Sequence, residues 1–389
     1  MKILFITGCI EEGRDGIGDN TMILASFCNH IGHHAMVLGI NDSFVENYVE
    51  EEKINQGGPI KTIRISTTSP WKDRFLKIEN IINLFKPDFI SFQYCGYSFH
   101  HKGVPLNIGK NLKKISGSVP IQIMFHELWA GSDLTSGWKS QLWGAIQQLH
   151  VKAMIKKLNP FLINVSTLIN KSFLLHKKID SKRISILSNI PIIEKPNSNW
   201  IVNEINNQSS LDVNNLSNKY LIFGFFGTLY PNLNEDILLP CLLKNKPADK
   251  KIIIISAGKM GSGMAKWQNM KTKYPQIYFV ELGVRSAIEI SEFLQFIDFG
   301  ITTTSPYFLN KSSSHMAMEE HGLSVFVCED NGKYPSFCDK SIAENKNLII
   351  VSSSDDKIIF DDLTKAIPFS RSKSIAEELT RKVSKKINL

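Results

Sequence analysis

The chain reads as two successive runs of short apolar segments, separated by polar or helix-patterned stretches. In the first run, "KILFITG", "HAMVLGI", "DFISFQY", "IQIMFHE" and "FLINVST" are apolar segments of strand length. From Arg183 to Asn218 the pattern dissolves into Asn, Ser and Pro, which predicts an irregular interdomain segment. It then restarts with "YLIFGFFG", "KIIIISAG", "IYFVELG", "FGITTTS", "LSVFVCE" and "LIIVSS". Strands that are apolar on both faces belong to parallel sheets covered by helices on either side. The alternation predicts an α/β chain of two doubly wound Rossmann-like domains, residues 1–195 and 196–370. They are expected to face each other across a cleft at the C-terminal ends of their strands, where ligands gather. The last segment, "SKSIAEELTRKVSKKI", is an amphipathic helix with Ile375, Leu379, Val383 and Ile387 on one side. Residues 371–389 are expected to pack back toward the first domain. No repeat at solenoid spacing is present.

Composition narrows this picture. A length of 389 residues exceeds one ordinary core and fits two domains of ~150–200 residues each. A hydrophobic share of 43% and a charged share of 21% are those of a soluble globular protein. No apolar run approaches the ~18–20 residues of a membrane span, and "MKILFITGC" reads as a first buried strand rather than a leader. The six cysteines are scattered without metal spacing, which points to free thiols in a reducing cytoplasm. The His33–His34 and His100–His101 pairs lack a third ligand at metal spacing, so no metal site is expected.

The formal net charge of +8 is unevenly placed: residues 101–200 hold 14 Lys/Arg against 4 Asp/Glu. This is either a solvated basic face or one that meets an acidic partner, such as an anionic membrane surface or a charged acceptor. Nothing interleaves aromatic and basic residues as a nucleic-acid binder would.

Several positions carry candidate chemistry. In "KSSSHMAMEEHGLSVFV" (311–327), Lys311, Ser312 and Ser313 open a predicted helix closed by Gly322. Backbone N–H groups, the positive end of the helix dipole and a lysine together suit an anion. Gly16 and Gly18, expected in the loop after the first strand, would let the backbone approach a phosphate or sugar. His126 follows "IQIMF" at a strand's C-terminal end and is the leading catalytic candidate. Glu127 and Asp19 are the carboxylates to watch as general base, Asp19 serving equally well as a helix N-cap. Tyr94, Tyr97 and Trp129 follow strand ends and either stack on a sugar acceptor or are partly buried aromatics.

The ordered set of motifs resembles the glycosyltransferases with the GT-B fold, closest to their large, mostly retaining nucleotide-sugar family. "GIGDNTMILASFCNHIGHHAMVL" is similar to their first loop and helix, matching at Gly16, Gly18, Asp19, Gly32 and His33. "FHELWAG" resembles the segment with their N-domain histidine, and "ILSNIP" the turn before their linker. "FGFFGTLYP", "SAGK" and "ELGVRS" resemble strand ends of their donor domain, and 311–327 resembles the donor-site helix. The resemblance covers nearly the whole chain, though no single motif is specific.

It implies sugar transfer from a nucleotide-sugar, bound as substrate without cofactor or metal, to a hydroxyl of a glycan, lipid-linked or protein acceptor. It implies retention of configuration, a donor site in the second domain and an acceptor site in the first. The protein would be cytoplasmic, with peripheral contact at the inner face of the membrane. Donor residues implied are Gly227, Thr228, Lys259, Gly283, Val284, Arg285, Lys311, Ser312, Ser313 and Glu320, besides Gly16 and Gly18.

The chain also departs from that pattern. The usual Arg and Lys after the glycine of the donor domain are replaced by a neighbourhood of Thr228, Asn232 and Asn234. The family's two glutamates fall on Leu309 and Ala317, and Ser324 replaces a proline. Such losses suit one alternative, a non-catalytic partner subunit of the same fold; the other, an epimerase or hydrolase acting on sugar nucleotides, needs acidic residues that reach the sugar.

Overall fold

The computed structural model describes residues 1–209, 211, 216–230, 233–329, 332–342 and 347–387. The chain forms two compact units, Met1–Leu187 with Gly332–Lys340 and Arg371–Leu389, and Ser188–Asn331 with Ser341–Ser370.

The first unit runs β1 (Lys2–Thr7), α1 (Gly16–His30), β2 (His34–Asp42), β3 (Val49–Asn55), β4 (Gly58–Ser66), α2 (Trp71–Phe85) and β5 (Phe89–Tyr94). It continues through α3 (Ile108–Ser116), β6 (Ile121–Phe125), α4 (Trp138–Leu158), β7 (Leu162–Val165), α5 (Leu168–His176) and β8 (Lys182–Arg183). Its sheet has the order β3-β4-β2-β1-β5-β6-β7-β8, parallel throughout except that β3 runs against β4. β5 and β6 are buried at every residue, which is why they read as continuous apolar runs.

The β3–β4 hairpin was not among the expected strands. Its first strand alternates half-buried and exposed positions and carries Glu50, Glu51 and Glu52, so it offers no apolar run. The signal that marks it is Gly57–Gly58 between two β-rich stretches, with Asn55 opposite Gly58.

The second unit runs α6 (Asn199–Gln208), α7 (Leu216–Lys219), β9 (Tyr220–Phe226), α8 (Glu235–Asn245), β10 (Lys251–Ala257), α9 (Met264–Lys273) and β11 (Ile277–Gly283). Then come α10 (Ala287–Phe296), β12 (Phe299–Ile301), α11 (Ser313–Glu320), β13 (Ser324–Cys328) and β14 (Leu348–Val351). The strand order β11-β10-β9-β12-β13-β14 is fully parallel and reverses direction between β9 and β12. One face buries Phe223, Phe225 and Ile254 beneath Leu238, Leu242 and Trp267. The other buries Ile222, Ile253 and Ile255 beneath Ile201, Ile205, Phe293 and Leu294.

The stretch expected to be irregular therefore contains a helix. In α6, Ile201 and Ile205 lie one turn apart and are fully buried against the second sheet, which contributes ~1.5–3 kcal/mol each. The Asn-rich composition around them hides this short apolar pair. The chain ends in α12 (Ser372–Ile387), whose Ile375, Leu379 and Val383 pack with Met22, Leu24 and Cys28 of α1 over the first sheet. Among the described residues no helix is long and apolar enough to cross a membrane.

Candidate functional site

In the first unit the chain leaves β1 at Thr7 and reaches α1 at Asp15, the N-cap, whose carboxylate accepts from Ile17 N at 2.9 Å. Gly16 and Gly18 are consequently in the first helical turn, not in the loop. A Cβ on Gly18 would lie 2.3 Å from the Cys9 carbonyl oxygen, so glycine lets loop and helix touch; at Gly16 nothing comes within 4 Å. Asp19 is not the cap. It accepts from Gly13 N at 3.1 Å. Burial pushes its carboxyl up to about 6, against the pull of that hydrogen bond and helped by Glu12 and Asp15. A carboxyl poised there can gain or lose a proton near neutrality.

The same loop is pinned by an ion cluster that sequence reasoning missed. Arg64 on β4 donates from Nε to Asp42 at 2.8 Å and from Nη2 to Glu11 at 2.5 Å. Ile10 N donates to the same Asp42 carboxylate at 3.3 Å. Burial pushes the Asp42 carboxyl up, but the hydrogen bonds from Arg64, Phe44 N and Ile10 N outweigh it and hold it below its ordinary value. Glu11, Asp42 and Arg64 are 31 to 53 residues apart, or 22 for the closer pair, so only strand pairing brings them together.

His126 sits directly after β6, 6% exposed, its backbone N donating to the Tyr94 carbonyl at 3.0 Å. Its Nε2 meets Gln93 Oε1 of β5 at 2.8 Å. Glu127 is exposed, with Cys95 Sγ at 3.7 Å from Oε2. Tyr94, expected as a stacking platform, is fully buried among Phe92, Phe99 and Phe125, so neither ring face is open to a sugar. Tyr97 is half-exposed on the turn after β5, its hydroxyl accepting from Gln147 Nε2 at 2.9 Å. Trp129 stands edge-on to Phe173 and lines an apolar groove beside α4 with Leu149, Val151 and Ile179.

In the second unit β9 is followed by Gly227, whose φ of +90° is the left-handed region that favours glycine. A Cβ there would stand 3.6 Å from Ser314 Cβ. Ser312 caps α11, its hydroxyl accepting from His315 N at 3.3 Å. The same oxygen lies 3.1 Å from both Thr304 Oγ1 and Ser314 Oγ. Gly227 and three hydroxyls thus gather at the reversal of strand order, beside a helix N-terminus. Lys311 ends the short turn before the cap, half-buried, with Nζ 5.9 Å from the Phe308 ring centre.

No family model and no curated protein matches the sequence. Solved structures do match along the whole chain. Anabaena HepE in complex with UDP-glucose is 14% identical, with TM-score 0.52, covering 100% of this chain and 92% of that one. The catalytic domain of Arabidopsis thaliana starch synthase IV, bound to ADP and acarbose, is 12% identical, with TM-score 0.58 and coverage of 100% and 99%. UDP-GlcNAc 2-epimerase from Methanocaldococcus jannaschii is 14% identical, with TM-score 0.55 and coverage of 99% and 100%. The chain has the GT-B fold.

On this GT-B fold the expected residues separate into two groups. Gly227, Ser312 and Ser313 gather around the switch point of the second unit, with Thr228 exposed beside Gly227. Gly258, just before Lys259, packs against the Gly227 backbone, and Lys311 directly precedes the Ser312 cap. Lys259 is exposed after β10. The Gly283 carbonyl already accepts from Gly258 N at 2.7 Å, and Val284 is exposed. The Arg285 side chain is committed to Glu204 at 2.7 Å, to the Leu282 carbonyl at 2.8 Å and to the Trp200 face. That network ties the Arg285 side chain to Glu204 and Trp200 of α6. Glu320 is buried at the far end of α11. Asn232 lies outside the described residues. Thr304 and Ser314 were missed; the run of three serines about the N-cap is a signal for Ser314, while Thr304 reaches Ser312 from eight residues upstream. Among the described residues no three His, Cys, Asp or Glu side chains come together as a metal-binding group.

Proposed function

We propose that this protein is a glycosyltransferase that moves a sugar from a nucleotide-sugar to an acceptor hydroxyl, with retention and without a metal. The observation that carries the reading is the meeting of Gly227 with the Ser312-capped start of α11 at the β9/β12 reversal. A diphosphate leaving group needs N–H and hydroxyl donors and a nearby cation as negative charge develops. Backbone N–H groups of α11, the hydroxyls of Thr304, Ser312 and Ser314, and Lys311 are of that kind. UDP-glucose and ADP in the structural neighbours are ligands of the class expected. His126 would hydrogen-bond the sugar, and Asp19 and Glu127 remain the carboxylates for proton transfer with the acceptor.

A second surface bears on the acceptor. α4 exposes Trp138, Leu142, Ile146 and Leu149 beside Lys139, Lys152, Lys156 and Lys157. Neither α3 nor α4 contains an acidic residue. Cavities of about 280 and 300 Å³ flank α4, each with lysines among its lining residues. An apolar ridge within a basic field suits an anionic lipid surface, and so a lipid-linked acceptor.

The test is a melting scan against UDP, GDP, dTDP, CMP and their sugars, followed by product analysis with and without acceptor. A ligand at a hundredfold its dissociation constant adds ~2.7 kcal/mol to stability. Stabilisation by one nucleotide, lost in Lys311→Ala, supports the donor site. Turnover of a sugar-nucleotide without any acceptor would favour the epimerase or hydrolase. A well-folded protein that no nucleotide stabilises ends the transferase reading.

A further inference from the structure

The first sheet carries a row of polar side chains through its interior, where the flanking positions are apolar. Asn164 Nδ2 donates to the Lys182 carbonyl at 3.1 Å, and Gln122 Nε2 donates to Asn164 Oδ1 at 3.0 Å. Ser91 Oγ donates to Gln122 Oε1 at 2.6 Å, and Gln93 Nε2 donates to Ser91 Oγ at 2.8 Å. The row ends at His126 Nε2, 2.8 Å from Gln93 Oε1. Ser91, Gln93, Gln122 and Asn164 are each at most 1% exposed, so bulk water is not in competition for these bonds.

The direction of every bond follows from the far end. A backbone carbonyl only accepts, so Asn164 must turn its NH2 to Lys182 and its oxygen to Gln122. Gln122 must then give its NH2 to Asn164 and its oxygen to Ser91. The Ser91 hydroxyl has one hydrogen, spent on Gln122, and accepts from Gln93. Gln93 is left with its oxygen toward His126. An amide oxygen facing an imidazole nitrogen requires that nitrogen to carry the proton.

We infer that this one-way chain of buried hydrogen bonds locks His126 in its Nε2–H tautomer. Asn164, Gln122, Ser91 and Gln93 are therefore positioning residues for it. In the neutral ring Nδ1 is the nitrogen with the lone pair, and the lock is achieved with neutral groups alone, adding no charge next to the ring. Use of that tautomer in turnover rests on the transferase reading above; the tautomer itself does not.

The test is two-bond ¹⁵N–¹H NMR of the full chain labelled at its ten histidines, recorded without nucleotide, with His126 assigned by its loss in His126→Gln. The expected wild-type pattern at alkaline pH is a single Nε2–H form. Ser91→Ala removes the link but does not touch His126. Either orientation of Gln93 then loses one bond, so Nδ1–H should become a readily detected fraction in a protein that still melts cooperatively. Gln122→Leu should do the same from one link further away, and Ser91→Thr should restore the single form. A wild-type ring protonated on Nδ1 would overturn the inference. So would folded Ser91→Ala and Gln122→Leu proteins with an unchanged Nε2–H pattern. If Ser91→Ala does not fold, the wild-type and Ser91→Thr spectra decide. A locked tautomer in a protein that binds no nucleotide would leave this inference standing while ending the transferase reading.

Discussion

Gly227 and Ser314 face each other at the β9/β12 reversal: a carbon added to Gly227 would lie 3.6 Å from Ser314 Cβ and 3.8 Å from its hydroxyl. The space is narrow enough that a side chain would fill it, yet the backbone there, at φ +90°, favours a residue without one. A bare backbone turn thus stands against a hydroxyl-bearing helix start.

Replacing Gly227 with Ala should cost ~1–2 kcal/mol of stability from the left-handed backbone alone. If the turn admits a diphosphate, the variant should also lose the melting shift given by the stabilising nucleotide. Scans with and without that nucleotide separate the two effects, because strain lowers both curves while a blocked site removes their difference.

Gly16 and Gly18 should behave oppositely despite their proximity. Gly18→Ala drives a methyl to 2.3 Å from the Cys9 carbonyl and should destabilise by ~1–3 kcal/mol, as overpacking does. Gly16→Ala meets nothing within 4 Å and should be neutral or gain up to ~1 kcal/mol, since alanine is the better helix former. Urea midpoints of the pair check this.

Asp19 predicts a pH signature in the first unit. Its carboxyl is raised from 3.8 to about 6 in the folded chain, chiefly by burial. Between those values the folded state holds more proton than the unfolded, so this contribution to stability falls as pH rises through the window. Asp19→Asn removes the effect and should melt above wild type at pH 7.5, the gap shrinking toward pH 4.5. An unchanged gap would refute the raised carboxyl of Asp19.

His321 predicts the reverse slope in the second unit. It is fully buried, with Nδ1 2.7 Å from the Ala317 carbonyl and Nε2 2.8 Å from Ser291 Oγ. Nδ1 must donate to that carbonyl; Ser291 Oγ already accepts from Ile193 N at 3.2 Å and Gln295 Nε2 at 3.4 Å, so its hydrogen goes to Nε2 and the ring is neutral. Burial holds it below its ordinary value of 6.5. The unfolded chain binds the proton first, so stability is present above pH 6.5 and lost as pH falls below it. His321→Gln should flatten the fall in urea midpoint between pH 7.5 and 5.5.

The α4 face predicts salt-sensitive binding to vesicles. Attraction of each lysine to an anionic bilayer contributes about 1 kcal/mol, so Lys152→Ser with Lys156→Ser should weaken sedimentation with phosphatidylglycerol vesicles about thirtyfold. Leu142→Ser with Leu149→Ser should weaken it while leaving its salt dependence intact. Equal binding to neutral phosphatidylcholine vesicles would refute an anionic surface as the partner.

What the sequence determined by itself is what local pattern encodes. Continuous apolar runs such as "FISFQY" and "KIIIISA" announce two parallel sheets, because a strand covered on both faces cannot alternate. The Asn, Ser and Pro region marks a change of unit near the Leu187–Ser188 division. Ser312 at a helix start is legible because capping acts within one turn. Where local composition conflicts with packing, the pattern misleads: α6 inside the Asn-rich stretch is held by the second sheet, and β3 with its three glutamates by the adjoining strand β4.

The site was decided by tertiary structure. Asp15 takes the cap, which leaves Asp19 half-buried against the loop with a raised carboxyl. Tyr94 is enclosed by rings from β6 and the turn after β5. Arg285 turns to Glu204, and His126 meets Gln93 from 33 residues away. Each depends on which strands become neighbours and how closely backbones approach. Hydrogen bonds and desolvation act over a few ångströms in space, and the spacing of letters along a chain does not contain that distance.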